Sequence, residues 1–325
     1  MRVVITGAAG FIGSRFTEIM LERAEQLDYD DIVLLDALTY SGRRENMTNA
    51  LLDSRVTFVE ASINDKQVTD DLLRGAHAVV HFAAESHVDN SIDGARVFYE
   101  TNVLGTQQLL ESARVGGVER FVHVSTDEVY GSITEGSWRE DHLLEPNSPY
   151  SSAKAGSDLA ALAYHRTFSL NVMVTRCSNN YGLRQFPEKM LPLFVTNLID
   201  GKKVPLYGDG LHVREWLHVD DHCQAIMLVL ERGRPGEIYN IGGDTELTNI
   251  ELTHRLLKLC GQDDSMIEYG TDRLGHDRRY SVDWSKIKNE LGYEPRVDFD
   301  GGLEGTVQWY HDHEEWWRPL KDHHG

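Results

Sequence analysis

The segment TGAAGFIG constrains the fold of this chain more than any other feature. It follows a short apolar run at 3–6 and opens an amphipathic pattern at 11–23, so Gly7, Gly10 and Gly13 occupy a turn between a strand and a helix. The first glycine permits a tight turn, the second lets backbone approach a pyrophosphate, and the third lets helix and strand pack closely. Because the amino terminus of the helix then faces the phosphates, the segment predicts a dinucleotide site.

Short apolar runs alternate with helical patterns through the first half of the chain. The runs predicted as buried strands cover residues 3–6, 32–36, 56–60, 78–82, 121–125 and 172–176, and the amphipathic stretches include 11–23, 97–113 and 153–168. Such alternation is typical of an α/β fold with a Rossmann-type, doubly wound parallel sheet.

The pattern changes after residue 176, where Gly, Pro and Asn become frequent and the elements become shorter. Segments at about 216–230 and 237–241 again have the pattern of a helix and a strand of the first layer. We therefore predict a second, smaller α/β domain interleaved with the first. The predicted division is 1–176 plus about 216–242 for the dinucleotide-binding Rossmann domain, and about 177–215 plus 243–325 for the substrate-binding domain.

Acidic residues outnumber basic ones, with 52 Asp and Glu against 32 Lys and Arg and a net charge of −20. This balance argues against nucleic-acid and anionic-membrane partners, whereas a few local cations suffice for a nucleotide ligand. The chain opens with a strand pattern, not a signal peptide, and no apolar run approaches the ~20 residues of a membrane span. Its three cysteines form no C-x-x-C pair, so we expect free thiols and a cytoplasmic protein.

Asp36 ends the second predicted strand, where a carboxylate accepts hydrogen bonds from both ribose hydroxyls of NAD. The same charge repels the additional phosphate of NADP. Arg43 and Arg44, just beyond the strand in SGRREN, are the counter-evidence, because guanidinium groups bind phosphate. The alternative is that both are ordinary side chains exposed to solvent. The sequence favours NAD.

Tyr150 and Lys154 in YSSAK are spaced so that both lie on one face of a helix. A tyrosine with a pKa near ~10 is a poor base, and lowering that pKa to about 7 takes roughly 4 kcal/mol of preferential phenolate stabilisation. We expect the lysine and a cationic nicotinamide to provide it. Earlier in the chain, Thr126 lies at the end of a predicted strand in VHVSTDEVYG. Asp127 and Glu128 directly follow Thr126.

These residues together resemble the extended short-chain dehydrogenase/reductase superfamily. Within it, HFAAESHVDNSI, EPNSPYSSAK, RCSNNYG, FPEKMLPLF, PLYGDG, REWLHVDDH and DRLGHDRRY closely resemble the dTDP-glucose 4,6-dehydratase family, over almost the whole chain to about Trp317. The resemblance implies an NAD-dependent hydro-lyase that converts dTDP-glucose to dTDP-4-keto-6-deoxyglucose in deoxysugar biosynthesis. The alternatives are a related dehydratase or 4-epimerase of another nucleotide sugar, and a catalytically silent NAD-binding regulator.

The resemblance assigns a role to each polar residue around Thr126. Thr126 holds the sugar oxygen, Tyr150 takes its proton, and NAD takes the hydride from carbon 4 and later returns it to carbon 6. Glu128 removes the proton on carbon 5 and Asp127 protonates the hydroxyl leaving carbon 6, an acid and a base that an epimerase does not need. Helix capping or surface ion pairing is the alternative for the two carboxylates. Because neighbouring strand residues point to opposite faces, both reach one sugar only if the chain leaves strand geometry after Ser125.

The resemblance also implies two sets of ligand contacts and a dimer, and no metal is expected. NAD is expected to contact Gly7, Gly10, Phe11, Ile12, Gly13, Asp36, Leu38, Thr39, Ser62, Ile63, Phe82, Ala83, Ala84, Thr101, Tyr150, Lys154 and Asn180. The nucleotide sugar is expected to contact Ser86, Thr126, Asn179, Lys189, Met190, Pro205, Tyr207, Arg214, Asn249, Arg273 and His276. The helical segments at about 95–113 and 153–168 contain more apolar residues than one sheet face needs, so we expect them to pair as a four-helix bundle in a homodimer.

Three positions depart from the family pattern. Ser62 replaces an Asp that contacts the adenine amino group, Asn90 replaces an Arg, and Leu183-Arg184 replaces Pro-Tyr next to the nucleotide pocket. The preference for thymidine over uridine therefore rests on the family. Near the carboxyl end, a metal site is the alternative for His311, His313, His323 and His324, but we expect a solvated tail there. We expect Trp309, Trp316 and Trp317 to belong to a docked terminal helix and not to a ligand platform.

Overall fold

The computed structural model describes residues 1–321. Its strands are β1 (Arg2–Thr6), β2 (Asp31–Asp36), β3 (Val56–Glu60), β4 (Ala78–His81), β5 (Arg120–Thr126), β6 (Val172–Cys177), β7 (Asn179–Tyr181), β8 (Val204–Tyr207), β9 (Val213–His218), β10 (Ile238–Ile241), β11 (Thr245–Thr248) and β12 (Ile267–Gly270). Seven of the described strands form a parallel sheet in the order β10-β6-β5-β4-β1-β2-β3. The predicted Rossmann-type sheet is confirmed, and its six predicted strands end within one residue of their expected bounds.

Helices cover both faces of this sheet. They are α1 (Phe11–Leu27), α2 (Lys66–Leu73), α3 (Val88–Asp93), α4 (Ala95–Phe98), α5 (Thr106–Gly116), α6 (Pro149–Phe168), α7 (Met190–Ile199), α8 (Val219–Arg232), α9 (Asn249–Leu259), α10 (Ser285–Leu291), α11 (Phe299–Asp312) and α12 (Glu314–Lys321). Helices α1 and α8 bury their apolar residues on one face, and α2, α5 and α6 bury theirs on the other. The carboxyl ends of the parallel strands are thereby left as the edge at which ligands bind.

The helix predicted over 97–113 is not continuous, so that prediction is wrong in detail. A π-helical segment, Tyr99–Gly105, separates α4 from α5. Within it, Asn102 exchanges two hydrogen bonds of 2.9 Å with the backbone of Glu85. The π-helical turn therefore ties this helical layer to the segment that follows β4, as such turns often do near functional sites.

Two smaller sheets, β11-β9-β7 and β12-β8, lie beyond the main sheet in the described chain. The helix predicted at 216–230 is wrong at its start, because residues 216–218 belong to β9 and α8 begins at Val219. The nitrogen Nδ1 of His218 caps α8 by accepting a hydrogen bond from the N–H of Asp220. Strand β10 joins the main sheet beside β6, as expected. The division into two domains stays a prediction.

The last two helices complete the apolar core around the smaller sheets. Trp317 is fully buried in that core, and Trp309 and Trp316 pack against it, which confirms the docked terminal helix. His311 is exposed and His313 stacks on Trp309, whereas His323 and His324 lie outside the described residues. Between residues 1 and 321, no helix combines the length and the apolar character that crossing a membrane requires.

Candidate active site

The glycine-rich turn between β1 and α1 leaves no room for side chains at two of its glycines. Gly7 has a φ of +67°, and a Cβ there would lie 2.6 Å from the backbone nitrogen of Ala83. A Cβ on Gly13 would lie 2.2 Å from the carbonyl oxygen of Gly7. The first turn of α1 is therefore packed directly against the strand ends, with its amino terminus open toward the cleft, which is the geometry that binds a pyrophosphate.

Asp36 lies at the carboxyl end of β2 and is nearly fully buried. Its two carboxylate oxygens accept hydrogen bonds from the N–H groups of Ala9, at 2.9 Å, and Leu38, at 2.8 Å. Burial raises the pKa of this carboxyl group, and the two hydrogen bonds oppose that shift. Arg43 and Arg44 pair instead with Glu45 and Glu60, at 3.3 and 4.0 Å. These contacts favour the interpretation of Asp36 as the ribose ligand.

A cavity of about 330 Å³ runs from the glycine-rich turn to the end of β5. Its walls include every predicted NAD contact except Leu38, whose backbone instead holds Asp36. A second cavity of about 160 Å³ adjoins it and shares Glu128, Asn179 and Lys189 with it. Together the two cavities are lined by every predicted nucleotide-sugar contact, including Ser86 in the larger one.

The chain leaves strand geometry directly before Asp127 and Glu128, as their predicted roles require. Strand β5 ends at Thr126, and residues Asp127–Tyr130 form a 3-10 helix. The hydroxyl oxygen of Thr126 caps this helix by accepting a hydrogen bond from the N–H of Glu128 at 3.2 Å. Both carboxylates consequently line the same cleft as Thr126, Tyr150 and Lys154.

Helix α6 fixes the positions of Tyr150 and Lys154. It begins at Pro149 with a capping box between Ser148 and Ser151. Lys154 is buried, and its Nζ donates a hydrogen bond of 2.8 Å to the carbonyl oxygen of Val124. Burial lowers the pKa of Lys154 to about 8.

We predicted that Lys154 together with a cationic nicotinamide lowers the pKa of Tyr150; that joint effect stays a prediction, and charges within the chain act against it. Burial raises the pKa of Tyr150 well above its ordinary value, and the carboxylates of Glu128 and Asp127 raise it further. A hydrogen bond with Thr126 acts in the opposite direction. Lowering this pKa therefore has to overcome the two acids beside the phenol, which is the task predicted for Lys154 together with the cationic nicotinamide.

The two carboxylates of the cleft have different surroundings. Burial raises the pKa of Asp127 well above its ordinary value, and the charges of Glu128 and Glu215 add to the shift. Burial also raises the pKa of Glu128, but three cations oppose it, namely Lys189, Arg273 and Arg214. Burial and neighbouring negative charge thus favour the acid form of Asp127, whereas the three cations favour the carboxylate form of Glu128.

The smaller cavity presents polar atoms that have no partner within the described chain. They are Oδ1 of Asn179, Oδ1 of Asn249, Nη2 of Arg214 and Nε of Arg273, and all are buried. Leaving one such group unpaired costs about 1–3 kcal/mol. A ligand with several charged and polar groups, such as a nucleoside diphosphate, fits these donors and acceptors.

His276 belongs to a cluster with His212 and Asp272, whose potential ligand atoms lie within 4.8 Å of one another. The two imidazoles stack 3.7 Å apart, and Nδ1 of His276 donates to Asp272 at 2.6 Å. Burial is the main cause that lowers the pKa of both histidines, that of His276 to about 3, and Arg214 lowers both further. Arg273 adds to the shift of His276, and Arg278 adds to that of His212. The same positive charges favour a phosphate group over a metal cation at this position.

Several residues of the larger cavity were not among the predicted contacts. Gln185, Phe186 and Glu188 line it together with Cys177 and Ser178. The motif FPEKMLPLF contains two of them, but it pointed only to Lys189 and Met190. Ser62 does line the cavity, and its hydroxyl accepts a hydrogen bond from the N–H of Asn64 at 3.1 Å.

Comparison with known proteins identifies close relatives. A family model described as GDP-mannose 4,6 dehydratase matches residues 4–306. A dTDP-glucose 4,6-dehydratase from Streptomyces antibioticus is 57% identical over 323 residues, which cover 99% of this chain and 96% of that protein. The crystal structure of the dTDP-glucose 4,6-dehydratase DesIV from Streptomyces venezuelae, with NAD bound, matches with a TM-score of 0.97 and 58% identity, over 98% of this chain and 100% of that one. A UDP-glucose 4-epimerase from Thermotoga maritima matches with a TM-score of 0.87 and 31% identity, over 96% and 99% of the two chains.

Proposed function

We propose that this chain, which belongs to the family of the GDP-mannose 4,6 dehydratase model, converts dTDP-glucose to dTDP-4-keto-6-deoxyglucose with NAD. The chain matches dTDP-glucose 4,6-dehydratases over almost its whole length. The observation that supports this most is the pair of carboxylates, Asp127 and Glu128, in one cleft with Thr126, Tyr150 and Lys154. Of these five residues, oxidation of a sugar hydroxyl uses only Thr126, Tyr150 and Lys154. The two acids provide for the loss of water.

NAD fits the larger cavity, where the glycine-rich turn receives the pyrophosphate and Asp36 the ribose. When bound, it supplies a nicotinamide that accepts a hydride from carbon 4 and returns it to carbon 6. Thr126 holds the oxygen on carbon 4, and Tyr150 removes the proton of that hydroxyl. Lys154, one helical turn from Tyr150, provides an ammonium group fixed on the carbonyl of Val124.

The loss of water follows from the different surroundings of the two carboxylates. Glu128, whose carboxylate form three nearby cations favour, removes the proton on carbon 5, which the neighbouring ketone makes acidic. Asp127, whose acid form burial favours, gives its proton to the hydroxyl that leaves carbon 6. The charges around each carboxyl group thus match the step assigned to it.

The nucleotide lies in the smaller cavity. Lys189, Arg214 and Arg273 neutralise the diphosphate, and Asn179 and Asn249 offer their unpaired amide oxygens. Pro205 and Tyr207 form the wall for the base. Tyr207 is 38% exposed, so the base binds near the surface, where an aromatic ring stacks on it.

Incubating the protein with dTDP-glucose, UDP-glucose and GDP-mannose tests the proposal. We expect a 4-keto-6-deoxy product, detected by nuclear magnetic resonance, from dTDP-glucose in preference to the other two. In heavy water the product should contain deuterium at carbon 5. A 4-epimer as the product, or bound NAD with no product from any of the three sugars, would contradict the proposal.

We further infer a homodimer in the cytoplasm. The helical layer of α4, the π-helical segment, α5 and α6 exposes Val97, Tyr99, Leu104, Leu159 and Phe168, each at least 41% exposed. A second copy of the chain that pairs these helices would bury this apolar surface. The free thiols of the three cysteines support the reducing compartment.

A further inference from the structure

The segment between β7 and α7, residues 182–189, crosses the larger cavity and forms part of its wall. Arg184, Gln185, Phe186, Glu188 and Lys189 all line that cavity, together with the glycine-rich turn and Asp36 on the opposite side. We name this segment the strap. It contains Leu183-Arg184, one of the three departures from the family pattern.

Arg184 joins the strap to the dinucleotide-binding side of the cleft. Its guanidinium donates to both carboxylate oxygens of Glu18 on α1, at 2.6 and 2.8 Å, and to the carbonyl oxygen of Asn46 at 2.8 Å. The side chains of Arg184 and Glu18 are only 15% and 18% exposed. A bidentate, mostly buried pair of this kind is much stronger than a surface ion pair.

The partners of Arg184 are themselves connected to the glycine-rich turn. The side-chain amide of Asn46 donates a hydrogen bond of 2.9 Å to the carbonyl oxygen of Ala9. Glu18 lies on the helix whose amino terminus faces the phosphates, where Arg15 also binds it at 3.0 Å. The contacts of Arg184 therefore hold the strap against the elements that form the dinucleotide site.

A second contact closes the strap nearer the catalytic residues. The hydroxyl of Tyr40 donates a hydrogen bond of 2.7 Å to Glu188, and the ring of Tyr40 meets that of Phe186 edge-on at 5.5 Å. Tyr40 follows β2, on the far side of the cavity. The strap is thus attached across the cleft at two points, with Arg184 as the charged one.

We propose that Arg184 is a latch that retains the dinucleotide between removal of the hydride and its return. This inference rests on the proposed function only in taking NAD as the cofactor. A dehydratase uses and regenerates its cofactor within one turnover, so escape of the cofactor midway stops the reaction. Because the strap forms part of the cavity wall and is attached across it at two points, we infer that release requires it to move away, and that movement breaks the contacts between Arg184, Glu18 and Asn46.

The test measures release of radiolabelled NAD from the purified protein after addition of excess unlabelled NAD. Arg184→Asn is suitable because Arg184 has a φ of +66°, a conformation that Asn tolerates. Glu18→Gln removes the same ion pair without changing the strap. We expect release about ten- to a hundredfold faster in each variant, as for loss of a hydrogen bond between charged groups. The double variant should release NAD little faster than either single variant.

Arg318→Ala is the matched control, since it breaks an ion pair between Arg318 on α12 and Asp200 at the end of α7, away from the cleft. This variant should release NAD at the parental rate. Thermal unfolding shows whether Arg184→Asn folds. Whatever that result, release of NAD at the parental rate from Glu18→Gln would overturn the latch. Fully additive effects in the double variant would also overturn it. If the parental protein makes the keto sugar and the variants release NAD at the parental rate, the latch is wrong but the proposed function stands. If the parental protein binds no NAD, the proposed cofactor is wrong as well.

Discussion

Glu128→Gln should separate the two halves of the proposed reaction. The substitution preserves the size and polarity of the side chain but removes the carboxylate that would accept the proton from carbon 5. Loss of a positioned base costs about 10²–10⁴-fold. Formation of product and exchange of the carbon 5 proton should fall by that factor, whereas oxidation at carbon 4 should survive.

The structure adds a second consequence to this substitution. The negative charge of Glu128 is, after burial, the largest cause that raises the pKa of Tyr150. Removing that charge lowers the pKa of Tyr150. Since the phenol must be deprotonated to act as a base, the pH at which oxidation begins should move downward in Glu128→Gln.

Rapid mixing with dTDP-glucose measures oxidation through the absorbance of the reduced dinucleotide, and mass spectrometry in heavy water measures exchange at carbon 5. The matched control is Asp127→Asn, which should retain the exchange and lose the elimination of water. Tyr150→Phe should abolish both signals. If Glu128→Gln exchanged the carbon 5 proton at the parental rate, Glu128 would not be the base and the reasoning would be refuted.

Three further predictions concern the cofactor, the stability and the assembly. Asp36→Asn should weaken NAD binding by about tenfold, as for loss of a charged hydrogen-bond acceptor, and should reduce the preference for NAD over NADP in calorimetric titrations. Burial raises the pKa of Glu215 from 4.5 to about 7, so the folded state holds this proton more tightly, and the free energy of unfolding should fall by roughly 3 kcal/mol as pH rises between those values. Glu215→Gln should remove that part of the pH dependence in urea unfolding. The double variant Leu104→Asp, Leu159→Asp should sediment as a monomer if the parent is a dimer. Leu52→Asp is the control, because Leu52 is 82% exposed and lies away from these helices, and it should leave the dimer intact. A monomeric parent would contradict the dimer.

The sequence by itself determined the main sheet and the location of the site. Apolar runs of strand length, the glycines at Gly7 and Gly13 and the spacing of Tyr150 and Lys154 depend on local backbone geometry, which neighbouring residues dictate. Strand β3 matches its predicted bounds, and all predicted catalytic residues line one cleft. Such features are readable because hydrophobic period and turn sterics act within a few residues.

The tertiary structure alone decided how the site is tuned and closed. The 3-10 turn after Thr126 aims two adjacent acids into one cleft, and those acids, not Lys154, dominate the charges around Tyr150. Arg184 meets Glu18 across 166 residues of chain, a contact that no local pattern marks. Burial, pKa and long-range ion pairing depend on which distant segments share one low-dielectric space, and only the folded chain brings those segments together.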